Sequence, residues 1–108
     1  MSEIEKVSEA TFQQQVLEAT LPVLVDFTAV WCQPCKMLDP IVKQLAAEWG
    51  DQVRVFKLDV DDHPQLAVEY QVMGVPTLIL FKLGKPVERI SGLQNKERLR
   101  KKFAPHLS

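Results

Sequence analysis

Cysteine is scarce in this chain. Only Cys32 and Cys35 occur in 108 residues, and there is no second Cys-X-X-Cys pair. A structural zinc site takes four ligands, so this pair could supply only half of one. Two cysteines are also too few for the disulfide framework that staples small secreted domains. No apolar run is long enough to cross a bilayer. Met1-Ser2-Glu3-Ile4-Glu5-Lys6 lacks the basic start and apolar core of a secretory signal, so a cytoplasmic location is expected. An excess of charge is missing too. The formal net charge of −1 gives no electrostatic case for nucleic acid or an anionic membrane. The one basic cluster, Lys96 to Lys102, is interrupted by Glu97 and reads as the solvated end of a helix. Nothing marks His63 or His106 as a metal ligand, and no metal is expected. Internal repeats, low-complexity tracts and linkers are absent.

What is present fits one soluble domain. An apolar fraction of 46% and a charged fraction of 25% are ordinary for a globular protein of this length. Ser2 to Val7 is a weak strand. Thr11 and Gln14 have capping-box spacing, and the helix they predict carries Phe12, Val16 and Ala19 on one face until Leu21-Pro22 ends it. Val23 to Ala29 is nearly all apolar, the pattern of a strand buried on both faces. A long helix follows from Pro34, with Leu38, Ile41, Val42, Leu45 and Trp49 at helical spacing and Gly50 as its stop. Pro40 inside it predicts a kink. Val53 to Val60 reads as a strand. Asp61-Asp62-His63-Pro64 opens a third helix, in which Leu66, Ala67 and Tyr70 face the core. Thr77 to Lys82 and Pro86 to Ser91 form an antiparallel hairpin around Leu83-Gly84-Lys85. Leu99, Phe103 and Leu107 mark a last helix. The order βαβαβαββα predicts an α/β fold whose mostly parallel sheet has helices on both faces.

The chemistry concentrates at Trp31-Cys32-Gln33-Pro34-Cys35, where the apolar strand gives way to the long helix. Sites in such sheets lie beyond the carboxyl ends of strands, which is this junction. Two thiols there fit reversible disulfide chemistry or half of a metal site. Asp26 lies inside the apolar strand, where burial would raise its pKa by disfavouring the charged form.

The segment Asp26-Phe27-Thr28-Ala29-Val30-Trp31-Cys32-Gln33-Pro34-Cys35-Lys36 resembles the active-site segment of the thioredoxin family. Lys57-Leu58-Asp59-Val60-Asp61, Val72-Met73-Gly74-Val75-Pro76-Thr77, Gly84-Lys85 and Gly92 match further landmarks in order, so the resemblance covers essentially the whole chain. It implies a single thioredoxin domain over residues 1–108, with a central mixed five-stranded sheet flanked by four helices. It implies a thiol–disulfide oxidoreductase, with no bound cofactor, that reduces disulfide-containing substrate proteins as a monomer and serves cell redox homeostasis. Reducing equivalents would come from NADPH through a flavin-containing thioredoxin reductase.

The resemblance also assigns roles. Cys32, ahead of the helix, would be the exposed attacking thiolate, favoured by unpaired N–H groups and the dipole. A lowered thiol pKa in this motif is already known for thioredoxins. Cys35, one turn deeper, would be the buried resolving thiol, and their spacing suits disulfide geometry. Asp26 would take the proton of Cys35, directly or through water. Lys57 resembles the lysine that neighbours the buried aspartate. Trp31, Gln33, Pro34, Gly74, Val75, Pro76 and Gly92 would form a shallow docking surface. A cis Pro76 there would leave the Val75 backbone to pair with an extended substrate. The chain departs from the usual pattern at Gln33, where glycine is common, and at Thr28, where tryptophan is often found. The first stiffens the turn, and the second predicts looser packing around the site. Three other readings are a non-catalytic interaction module, a metal-binding protein and an oxidising disulfide donor.

Overall fold

A computed structural model describes residues 4–107. Five strands form one sheet in the order β1-β3-β2-β4-β5. They are β1 (Glu5–Lys6), β2 (Val23–Thr28), β3 (Arg54–Asp59), β4 (Thr77–Lys82) and β5 (Lys85–Ser91). β1 and β2 run parallel to β3, while β4 is antiparallel to both β2 and β5. Four helices accompany them: α1 (Glu9–Phe12), α2 (Gln33–Trp49), α3 (Pro64–Glu69) and α4 (Lys96–Phe103). This is the mixed five-stranded sheet and four-helix arrangement of the thioredoxin fold. The expected first strand is reduced to Glu5–Lys6, and its first residues, Ser2 and Glu3, lie outside the described ones.

The first helix starts earlier than its sequence suggests. Its N-cap is Ser8, in extended conformation, rather than Thr11. Thr11 Oγ1 accepts the Ser8 N–H at 3.0 Å, so the hydroxyl predicted to open the helix serves its third position instead. Starting at Glu9 places an acidic side chain in the first turn, where the dipole favours it. The helix then widens into a π turn over Gln13–Leu17, with Phe12 and Val16 still buried. α2 runs unbroken through Pro40, and its C-cap Gly50 has φ +55°.

Strand alternation sorts the core into two layers. Val23, Val25 and Phe27 of β2, Phe56 and Leu58 of β3, and Ile79 and Phe81 of β4 pack with Phe12, Val16 and Leu66 from the first and third helices. Leu24, Leu78 and Leu80 point the other way, onto Leu38, Val42, Leu45 and Trp49 of α2 and Leu99 and Phe103 of α4. Asp26 shares the parity of Leu24, so its carboxyl lies under α2. Lys57, of opposite parity to Phe56 and Leu58, is on that same side. At the far end of the sheet, the hairpin between β4 and β5 turns through Gly84 (φ +82°), where any Cβ would sit 2.7 Å from the Leu17 carbonyl oxygen.

Candidate active site

The carboxyl end of β2 delivers the chain to the head of α2. Ala29 and Val30 make the exit, and Trp31 precedes the helix with 67% of its surface exposed. Its indole Nε1 donates to Asp61 Oδ2 at 2.7 Å, which fixes the ring beside the loop that follows β3. Cys32 is the N-cap residue, and its sulfur accepts the Cys35 backbone N–H at 3.2 Å. Proline at the second helical position costs nothing there, because the first-turn N–H groups have no intrahelical partner. Cys32 and Cys35 are joined as a disulfide with their Cα atoms 5.3 Å apart.

The expectation of one exposed and one buried cysteine is not what the disulfide form presents. Cys32 is 3% exposed and Cys35 4%. Both pack with Ala29, and Val60 and Val75 lean on them. The asymmetry between them lies in backbone position: Cys32 stands at the cap and Cys35 inside the first turn.

Asp26 is 1% exposed and its Oδ1 has no hydrogen-bond partner among the described residues. Burial pushes its carboxyl up to about 7; the Asp39 charge adds to the rise and the Lys57 charge opposes it. Lys57 is the in-register partner of Asp26 across β2 and β3. Its ammonium, however, binds Asp39 of α2, at 3.0 and 3.2 Å to the two oxygens. A cavity of about 150 Å³ lies here, bounded by Thr28, Cys35, Asp39, Lys57 and Asp59 among others. Thr28, where the family often carries a tryptophan, is thus part of its wall.

On the other side of the disulfide the chain turns through Gly74-Val75-Pro76, with a cis bond before Pro76. Thr77 Oγ1 donates to the Gly74 carbonyl at 2.7 Å, and the Gly92 N–H donates to the Pro76 carbonyl at 2.8 Å. Strand pairing of β4 begins at Thr77, so Val75 stands outside the ladder. Trp31, Gly74 and Val75 line one apolar cleft of about 300 Å³ together with Val60, Pro64, Val68 and Met73. Gln33 and Pro34 are exposed on the first turn of α2. A larger cavity, about 450 Å³, lies at the opposite end of the sheet between the first helix and Arg54, remote from both cysteines.

Three neighbours of the site have no role assigned from the sequence: Asp39, Asp61 and Met73. Asp39 follows Cys35 by four residues, so helical spacing alone would have put it on the same face. Asp61 as partner of Trp31 and Met73 as a cleft residue depend on the packing of loops, which periodicity does not report. Among the described residues no group of three or more histidine, cysteine, aspartate or glutamate side chains is placed to hold a metal.

Comparison with known proteins agrees with this geometry. The thioredoxin family model matches residues 3–104. Thioredoxin 1 of Synechococcus elongatus is 43% identical over 107 residues, which is 99% of this chain and all of that protein. Thioredoxin of Mycobacterium tuberculosis is 50% identical over 94 residues, 87% of this chain and 81% of that one. A bifunctional thioredoxin reductase/thioredoxin of Mycobacterium leprae is 49% identical over 94 residues, 87% of this chain but 20% of its own length. The disulfide at the head of α2, the sheet that presents it and these identities lead to one conclusion: the chain belongs to the thioredoxin family of thiol–disulfide oxidoreductases.

Proposed function

We propose that the chain reduces disulfides of substrate proteins in the cytoplasm, with Cys32 as the attacking thiolate and Cys35 as the resolving thiol. The observation that carries this reading is the Cys32–Cys35 disulfide at a helix head with the buried Asp26 behind it, whose Oδ1 has no hydrogen-bond partner among the described residues. In the reduced form, the Cys32 thiolate attacks one sulfur of a substrate disulfide. A mixed disulfide forms and one substrate thiolate leaves. Asp26 takes the Cys35 proton, and the Cys35 thiolate attacks Cys32 Sγ. The bond from Cys32 to the substrate breaks, and the second substrate thiolate leaves. Two electrons pass to the substrate, and the protein is left as the Cys32–Cys35 disulfide. A base with a pKa near ambient pH is suited to that step.

Substrate would dock on Trp31, Gln33, Pro34, Gly74, Val75, Pro76 and Gly92. The position of Val75 outside the sheet ladder supports short strand-like pairing with an extended segment. Lys57 tunes Asp26 by its charge. Re-reduction would come from NADPH through a thioredoxin reductase. The Mycobacterium leprae relative, named for both activities in one chain, supports such a partner. No further cofactor is required, and a monomer suffices.

The test is a thiol count with a disulfide-bonded protein such as insulin. Reduced wild-type protein should open the substrate disulfide and end as its own Cys32–Cys35 disulfide. Cys35→Ser should stop at a mixed disulfide through Cys32, visible by mass. A strongly oxidising reduction potential, titrated against glutathione, would overturn the direction and favour a disulfide donor.

A further inference from the structure

Asp39 is a charged group near the disulfide to which the exchange chemistry gives no part. It sits on α2 one turn beyond Cys35, with a quarter of its side chain exposed (25%). Both of its oxygens hold the Lys57 ammonium, at 3.0 and 3.2 Å. Lys57 is also the in-register neighbour of Asp26 on the adjoining parallel strand, with both side chains on the α2 side of the sheet. One ammonium therefore has two carboxylates within its charge field, and it is bonded to Asp39, while Asp26 Oδ1 has no partner among the described residues. Cys35, Asp39 and Lys57 share the wall of the 150 Å³ cavity, and Asp26 lies behind it as the register partner of Lys57. The charged groups facing that region are Asp26 from β2, Lys57 and Asp59 from β3, Asp39 and Lys36 from α2 and Lys6 from β1. β4, on the other flank of β2, opposes Asp26 with Leu78 and adds no charge.

An ammonium in contact with a buried carboxylate stabilises its charge and makes it a weaker base. We propose that Asp39 is a positioning residue for the resolving step: by engaging Lys57 at the cavity wall it keeps that ammonium off Asp26, which remains the proton acceptor for Cys35. This rests on the role of Asp26 given above. The step stays balanced as written there, with the proton passing from Cys35 Sγ to the Asp26 carboxylate and the substrate thiolate leaving. Asp39 donates and accepts no proton in it. Its own negative charge acts in the same sense, by opposing ionisation of Asp26.

The experiment follows Asp26 by two readouts. One is carboxyl carbon NMR titration of the oxidised protein. The other is the pH profile of the second thionitrobenzoate release when reduced protein reacts with dithionitrobenzoate, which reports attack by Cys35. Asp39→Asn should lower both midpoints by about 1 pH unit. Asp39→Glu, which can still hold Lys57, should restore them. In a Lys57→Gln background the effect of Asp39→Asn should shrink, because no ammonium is released toward Asp26. Unmoved midpoints in Asp39→Asn, or an undiminished shift in the Lys57→Gln background, would overturn the proposal. Asp26→Asn separates the two levels. If it flattens the release profile while Asp39→Asn shifts nothing, only the role of Asp39 falls. If it leaves the profile unchanged, Asp26 is not the base and both fall.

Discussion

The two faces of the sheet are built from the same strands and do different work. Under the first and third helices the buried side chains of the sheet are apolar except for Thr77 at the start of β4. Phe12, Tyr70 and Phe81 meet there at ring-centroid distances of 5.2 to 5.7 Å, two of the three pairs edge-on. Under α2 the same strands place Asp26 beside Leu24 and Leu78 with Lys57 next to it on β3, and α2 answers with Cys35 and Asp39. A strand's period of two makes this possible, since one residue's change of parity moves a side chain from one layer to the other. The first face stabilises without chemistry. The second accepts a buried carboxylate that Lys57 compensates only in part, and the remaining cost has to be carried by the rest of the core.

The sharpest way to break the comparison is to remove the nucleophile. Cys32→Ser should abolish disulfide reduction in the insulin assay while leaving the thermal midpoint of the reduced protein close to wild type. Retained activity would dissolve the distinction between the faces. Next comes the apolar side. Phe81 is 1% exposed, so Phe81→Ala should cost about 3–5 kcal/mol in denaturant unfolding, yet leave the Asp26 titration where it is in the molecules that stay folded.

Asp26→Asn should go the opposite way. The folded pKa of about 7 lies above the ordinary 3.8, so the native state binds the extra proton between those values. Stability from this group is fully present below about pH 4 and is lost as pH rises through 7. Near pH 8 the asparagine variant should be more stable by an amount on the order of 4 kcal/mol, since each tenfold change in proton affinity is worth about 1.4 kcal/mol. Below pH 4 the difference should vanish, which urea melts at the two pH values would check. The smallest effect belongs to the roof of the reactive face. Asn95 Oδ1 caps α4 by accepting the Arg98 N–H at 2.8 Å. Asn95→Ala should cost about 1 kcal/mol, with disulfide reduction unchanged.

Much of the architecture is legible without the structure. The apolar run of β2, the heptad-like spacing of α2 and the short hairpin loop each allow few alternatives. The redox pair is legible because the two cysteines sit at a strand-to-helix junction. The parts that escape are those decided by competition. Ser8 and Thr11 can both cap a helix, and the earlier start leaves Thr11 bonded back to the Ser8 N–H. The π turn has no signature in Gln13-Gln14-Gln15. A place ahead of a helix predicts an exposed Cys32, but the folded loops bring Val60 and Val75 over the disulfide. Strand register is enough to make Lys57 a neighbour of Asp26. Its bond to Asp39 needs the third dimension.

Gly84 carries a lesson about which positions a lineage is free to change. The hairpin tip meets the end of the first helix so closely that the Leu17 carbonyl occupies the space of a missing methyl group. No side chain, however small or apolar, can enter there without parting the two segments. The redox cysteines can be traded for serines and the chain should still find its shape. The residue with nothing to offer chemically is among the least replaceable, because here the fold records a contact between backbone and backbone.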